Sequence, residues 1–159
     1  MKKGSIRFLQ VVIALISIIA LIILIRFPLY EGRNAHATLF QVYFNDPFLA
    51  YIYTVSLAFF TALYQAFKLL GYIGKNKVFS SEAVKTLQII KYCAMTIVAG
   101  LMAPEAYLFI ARPGDDIAGG VAMGLFLIFV SAVVATAAAV FEKLLQKAVD
   151  IKSENDLTV

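Results

Sequence analysis

Four long apolar stretches, separated by more polar segments, dominate the chain. They cover residues 8–25, 48–67, 87–111 and 117–141. A helix needs about 20 predominantly apolar residues to cross the hydrocarbon core of a bilayer. The pattern therefore predicts an all-α integral membrane protein, a bundle of four transmembrane helices that forms a single membrane domain over residues 1–159. The remaining segments are an outer loop at 26–47, a cytoplasmic loop at 68–86 and a cytoplasmic tail at 142–159.

The first stretch also resembles a signal peptide, because it follows a basic start and precedes an Ala-His-Ala sequence at 35–37. Its apolar run is longer than a usual signal core, and Arg26, Glu31 and Arg33 separate it from that sequence. These two features favour an uncleaved helix.

Composition supports the membrane interpretation. Hydrophobic residues make up 62% of the chain and charged residues 15%, which leaves too little polar surface for a soluble domain of this length. Cys93 is the one cysteine and His36 the one histidine. We therefore expect no internal disulfide, no metal site and no cofactor.

Basic residues predict the orientation, since Lys and Arg are enriched in cytoplasmic segments. Eleven lie on the side of both termini and the 68–86 loop, and Arg26, Arg33 and Arg112 lie on the other. The predicted protein is a multi-pass protein of the cell membrane with both termini in the cytoplasm. We expect Lys91, just inside the third span, to extend towards the cytoplasmic interface, and Tyr51 to lie at the outer interface.

Capping residues agree with these spans. Asp46 is a candidate N-cap before Pro47 at the first helical position. Ser80 is a candidate cap for the third span, with Glu82 in its first turn. Asp115 or Asp116 can cap the fourth span.

Gly120 and Gly124 form a Gly-x-x-x-Gly step in the fourth span. Small residues at this spacing allow helices to approach closely in membranes. We favour internal packing against another span, and a homo-oligomer seam is the alternative.

The third span contains Pro104 and Glu105 side by side. Proline removes the donor to the carbonyl of Gly100, which predicts a kink there. We expect a neighbouring group or a water to satisfy that carbonyl. Glu105 lies in the outer half of the span. An ion pair with Arg26 or Arg112 explains its presence, and a proton or cation site is the alternative.

The segment after the fourth span has an amphipathic pattern from Phe141 to Ala148 and ends in Glu-Asn-Asp-Leu-Thr-Val. The pattern predicts that the fourth helix continues about two turns into the cytoplasm.

This ending, together with the segment before the third span, resembles a family of small bacterial four-span membrane proteins catalogued as domain of unknown function, family number 2975. The resemblance covers the four-span layout. Its specific motifs fall on Lys77, Phe79, Ser80, Glu82 and Leu87, and on Glu154, Asn155, Asp156, Leu157, Thr158 and Val159. The glycine that the family shows near Lys77 is absent here or displaced to Gly74.

The resemblance implies no known activity. Members are often encoded beside a very small helix-turn-helix regulator, which implies a cytoplasmic DNA-binding partner. The candidate partner face combines Phe79, Ser80 and Glu82 with residues 154–159. The alternative is that Ser80 merely caps a helix and the tail folds back on the loop. We expect no direct nucleic-acid binding.

A small transporter or channel that uses Glu105 is the competing function. An enzyme is not expected, because the sequence contains no histidine cluster, paired intramembrane acids, nucleophile motif or phosphate loop.

Overall fold

The computed structural model describes residues 3–30, 38–44, 47–111 and 118–157. They form five helices: α1 Lys3–Tyr30, α2 Leu39–Phe44, α3 Pro47–Gly74, α4 Ser81–Ala111 and α5 Ala118–Leu157. The described residues contain no strand, and α1, α3, α4 and α5 are each long and apolar enough to cross a membrane. The predicted all-α class with four spanning helices is confirmed.

The four long helices extend beyond the predicted apolar stretches. Helices α1 and α3 have 28 residues each and α4 has 31, whereas α5 has 40. At 1.5 Å per residue α5 is about 60 Å long, roughly twice the thickness of a bilayer hydrocarbon core. A large part of α5 therefore lies outside the hydrocarbon.

The helices pack in chain order. Helix α4 packs on both α3 and α5, and α3 packs on α1, whereas α1 has no extensive contact with α4 or α5 among the described residues. This open row exposes 11183 Å², against about 7,900 Å² for a soluble monomer of the same mass. Much of the exposed surface is apolar, as at Phe8 and Phe129, and suits contact with lipid.

The best-buried part of the bundle is the first half of α4. Its buried residues are Ala83, Val84, Thr86, Leu87, Ile90 and Ala94. This half lies between α3 and α5, and on α5 the buried Ala138 belongs to the same core. The most tightly packed region is thus nearer one end of the bundle than the middle of the spans.

Both described ends of the chain lie at that end of the bundle. The side chain of Ile6 in α1 lies 3.6 Å from a Cβ built on Gly74, the last residue of α3. Lys91, near the start of α4, bonds Glu142 in the last part of α5. We call this end, which contains the start of α1, residues 75–80 and the end of α5, the basal end. Its location in the cytoplasm stays a prediction from the charge asymmetry.

A tight turn at the basal end connects α3 to α4. Asn76 has a left-handed backbone with φ of 57°, and the Lys77 amide donates to the Tyr72 carbonyl at 2.9 Å, as in a Schellman ending. Asn tolerates this conformation better than other non-glycine residues, so the turn forms without a glycine.

The predicted cap of α4 is confirmed, since the Ala83 amide donates to Ser80 Oγ at 3.3 Å. Pro47 is the first residue of α3, as expected. Asp46, Asp115 and Asp116 lie outside the described residues.

Candidate functional site

The proline in α4 is accommodated by a neighbouring helix. Pro104 lies inside α4, and the hydroxyl of Tyr51 in α3 donates to the Gly100 carbonyl at 2.6 Å. The expectation that a neighbouring group satisfies this carbonyl is confirmed. A Cβ on Gly100 would lie 2.8 Å from Val55 Cγ2, so the glycine also allows α3 to come close.

Helix α1 repeats this arrangement. Pro28 lies inside α1 and cannot donate to the Leu24 carbonyl. The hydroxyl of Tyr53 is 3.4 Å from that carbonyl, at the long limit of a hydrogen bond. Because Tyr51 and Tyr53 are two residues apart on a helix, they point to opposite sides of α3. Tyr51 therefore donates to α4, and Tyr53 donates to α1.

Glu105 is directed at α5. It is partly buried, and a Cβ built on Gly124 would collide with its Oε1 and lie 2.6 Å from its Cδ. The carboxyl group thus fills the space that the missing side chain of Gly124 leaves. Its other oxygen, Oε2, is buried and has no hydrogen-bond partner among the described residues. A buried polar atom without a hydrogen-bond partner is unfavourable.

The two glycines of the Gly120–Gly124 step contribute unequally to helix packing. Gly124 is buried against α4, whereas a Cβ built on Gly120 would meet nothing within 4 Å. Close approach in the described structure therefore occurs at Gly124, between helices of one chain. The homo-oligomer stays a prediction.

Of the two partners expected for Glu105, Arg26 or Arg112, Arg26 forms no ion pair with it in the described structure. The ion pair that the described residues do form joins two other side chains, Lys91 and Glu142. Arg26 is exposed. The reason is the helix order, because α1 packs on α3 and lacks extensive contact with α4. Arg112 lies outside the described residues, so its pairing with Glu105 stays a prediction.

Lys91 has a partner that the sequence did not suggest. Its Nζ lies 2.6 Å from Glu142 Oε2, and both side chains are largely buried, with exposures of 20% and 15%. The Gln88 amide donates to Glu142 Oε1 at 3.0 Å. Lys91 therefore contacts α5 at the basal end. Glu142 was assigned to the tail, one residue beyond the predicted fourth span, whereas Lys91 was placed inside the third span, so no sequence signal joined the two residues.

The basal end combines the turn and the last part of α5. Because Glu142 lies opposite Gln88, α5 passes the first residue of α4, Ser81, at about residue 149. The helix then continues through Leu157, further than the two turns predicted. Its exposed apolar side chains include Ile151 at 60%, and Phe79 in the turn is 57% exposed.

The predicted partner face is brought together only in part. Phe79, Ser80 and Glu82 lie at the turn, and Glu154 and Asn155 are exposed on the α5 extension at the same end. Asp156 and Leu157 are helical, but their side chains lie outside the described part, as do Thr158 and Val159 altogether. In that described part, no group of three His, Cys, Asp or Glu side chains could hold a metal ion.

Comparison with known proteins gives two matches. Residues 34–159 match the family described as "Protein of unknown function (DUF2975)". The whole chain is 44% identical over 161 residues to the "Uncharacterized membrane protein YoaS" of Bacillus subtilis (strain 168), with 100% of both chains covered. No solved structure matches. The relative's name places it in a membrane, in agreement with the four apolar helices described above.

Proposed function

The chain belongs to the DUF2975 family of membrane proteins of unknown function, and we propose that it holds a small soluble protein at its basal end, on the cytoplasmic side. The partner is a helix-turn-helix regulator, as the family resemblance implies. In this role the four helices anchor the protein and the basal end binds.

The projecting end of α5 carries this proposal. Beyond about residue 149 the helix has passed the start of α4, and residues 150–155 are exposed. A helix that projects from its bundle with an exposed apolar residue, here Ile151, provides a surface for a second protein. Phe79 adds a second exposed apolar side chain at the same end.

The charge of the extension suits a basic partner. From residue 150 onwards Asp150, Glu154 and Asp156 outnumber Lys152. A DNA-binding domain presents a cluster of Lys and Arg, and an acidic helix is complementary to it. Binding of this kind would compete with DNA for the regulator, so that the membrane protein sequesters it.

The test uses the full chain in lipid nanodiscs and the helix-turn-helix protein encoded beside it in its host. Ile151→Ser and the truncation after residue 153 should each weaken binding at least tenfold in a titration. Leu125→Ser is the matched control, since Leu125 is an exposed apolar residue of the same helix at the opposite end. Equal binding by all variants would contradict the proposal.

A second function is supported by one observation, the buried Oε2 of Glu105, which has no hydrogen-bond partner in the part of the chain that the structure describes. An ionisable group in a span is a candidate proton or cation site. In this role Glu105 would exchange a proton or bind a cation between α4 and α5. A proteoliposome flux assay tests it: flux that is present in the wild-type protein and lost in Glu105→Gln supports transport, and the absence of wild-type proton and cation flux contradicts it.

A further inference from the structure

A groove runs between α4 and α5 on the side of the pair away from α3. Its apolar part, about 500 Å³, is lined by Lys91, Met95, Val98, Ala99, Met102, Ala132, Ala135, Thr136 and Ala139. A second part of about 500 Å³ lies next to it towards the basal end and is lined by Gln88, Val140, Glu142, Lys143, Leu144, Gln146 and Lys147. The α4 positions that line the two parts include Gln88, Lys91, Met95, Val98 and Met102, which recur every three or four residues, so both parts lie on one face of α4.

The apolar part suits a flexible chain. Alanines form the α5 side of the groove and leave it open, whereas Met95 and Met102 form the α4 side with exposures of 54% and 58%. Methionine is flexible and adapts to the shape of what it contacts. Lys91 and Met102 are eleven residues apart, about 16 Å along the helix, which is about half of a hydrocarbon core of roughly 30 Å. The apolar part therefore spans one leaflet.

The basal part suits a negative charge. Glu142 is neutralised by Lys91 and also accepts a hydrogen bond from Gln88. Lys143 and Lys147 are exposed, and within the described ranges neither forms an ion pair. Among the residues that line the groove, three lysines against one carboxylate leave two positive charges.

We propose that this groove binds an anionic phospholipid. The phosphate lies at Lys143 and Lys147, and one acyl chain lies along Met95 and Met102 over the alanines. Basic pockets between transmembrane helices bind anionic lipid headgroups in this way. A helix of a second copy is the less favourable occupant, because the groove spans one leaflet and has its charge at one end. The proposal does not depend on the docking role, which uses the part of α5 beyond residue 149.

The test titrates the full chain in neutral detergent with phosphatidylglycerol and with phosphatidylcholine of the same acyl chains, and counts bound lipid by native mass spectrometry. Each lysine at an anionic surface contributes roughly fivefold to affinity. The double variant Lys143→Gln/Lys147→Gln should therefore lower phosphatidylglycerol affinity by roughly 25-fold and leave phosphatidylcholine nearly unchanged.

Three further variants make the result decisive. Lys77→Gln/Lys152→Gln removes the same charge from the basal end outside the groove and should change affinity less than threefold. Ala132→Leu fills the apolar part and should lower affinity at least fivefold, whereas Ala122→Leu, on α5 outside the groove, should not. An equal loss in both lysine pairs would overturn the proposal, as would unchanged binding by Ala132→Leu. A groove variant that abolishes a dimer instead of lipid binding would also overturn it.

Discussion

The contact between Glu105 and Gly124 predicts a strong energetic coupling between α4 and α5. A Cβ on Gly124 collides with Glu105 Oε1, lies 2.6 Å from Cδ and lies 3.4 Å from Cγ. Gly124→Ala therefore forces the carboxyl group out of its position. Overpacking of this kind costs about 1–3 kcal/mol, and the higher helix propensity of alanine offsets about 1 kcal/mol of it.

In a Glu105→Ala background the three atoms that obstruct the new methyl group are gone. Gly124→Ala should then be neutral or stabilising, by up to about 1 kcal/mol from helix propensity. The difference between the two backgrounds, the coupling energy, should be about 1–3 kcal/mol. The double-mutant cycle isolates it from the separate effect of removing the carboxyl group.

The measurement is reversible unfolding in mixed micelles, followed by circular dichroism. Gly120→Ala is the matched control, because it lies one turn away on α5 and its Cβ would meet nothing within 4 Å. Its coupling to Glu105→Ala should stay below about 0.5 kcal/mol. Additive effects of Glu105→Ala and Gly124→Ala, or equal coupling at Gly120, would refute the described contact.

Three further predictions concern the tyrosine bond, the turn and the orientation. Tyr51→Phe leaves the Gly100 carbonyl without its donor and should lower the free energy of unfolding by about 0.6–2 kcal/mol. Tyr107 is exposed and has no described hydrogen bond, so Tyr107→Phe should have little effect in the same unfolding assay. Asn76→Ala places alanine in a left-handed conformation and should destabilise the protein by roughly 1 kcal/mol, whereas Asn76→Gly should not; equal unfolding midpoints for the two variants would be inconsistent with the turn. With Cys93 replaced, single cysteines in the 75–80 turn and in the last turn of α5 should react with an impermeant reagent only from the cytoplasmic side; labelling of either from outside intact cells would reverse the orientation.

The sequence predicted the helices well because lipid imposes a simple length requirement on apolar stretches. It predicted helices that are too short, since polar residues beyond the hydrocarbon can remain helical. Residues 142–157 were divided between a short extension and a tail, yet they continue α5. That division separated Glu142 from Lys91, so their ion pair could not be recognised.

Neighbour relations were the harder part. Glu105 was recognisable as an unusual residue in a span, but its contact depends on which helices touch. The pairing with Arg26 assumed that the first and third spans, which are α1 and α4, meet. The second span, α3, lies between them. Tyr51 was assigned to the outer interface, and its bond to Gly100 became visible only when α3 and α4 were placed side by side.

The open row of helices has a consequence for biosynthesis. Among the described residues, each spanning helix packs extensively only on spanning helices that are its neighbours in sequence, so the spatial order equals the order in which the ribosome delivers them. When a helix is inserted, the preceding helix on which it packs is already in the bilayer, so packing can begin before later helices are synthesised. Contacts between helices that are neighbours in sequence also favour rapid assembly. We therefore expect the pair of α1 and α3 to associate before α4 is synthesised, and α5 to complete the core around Ala138 last.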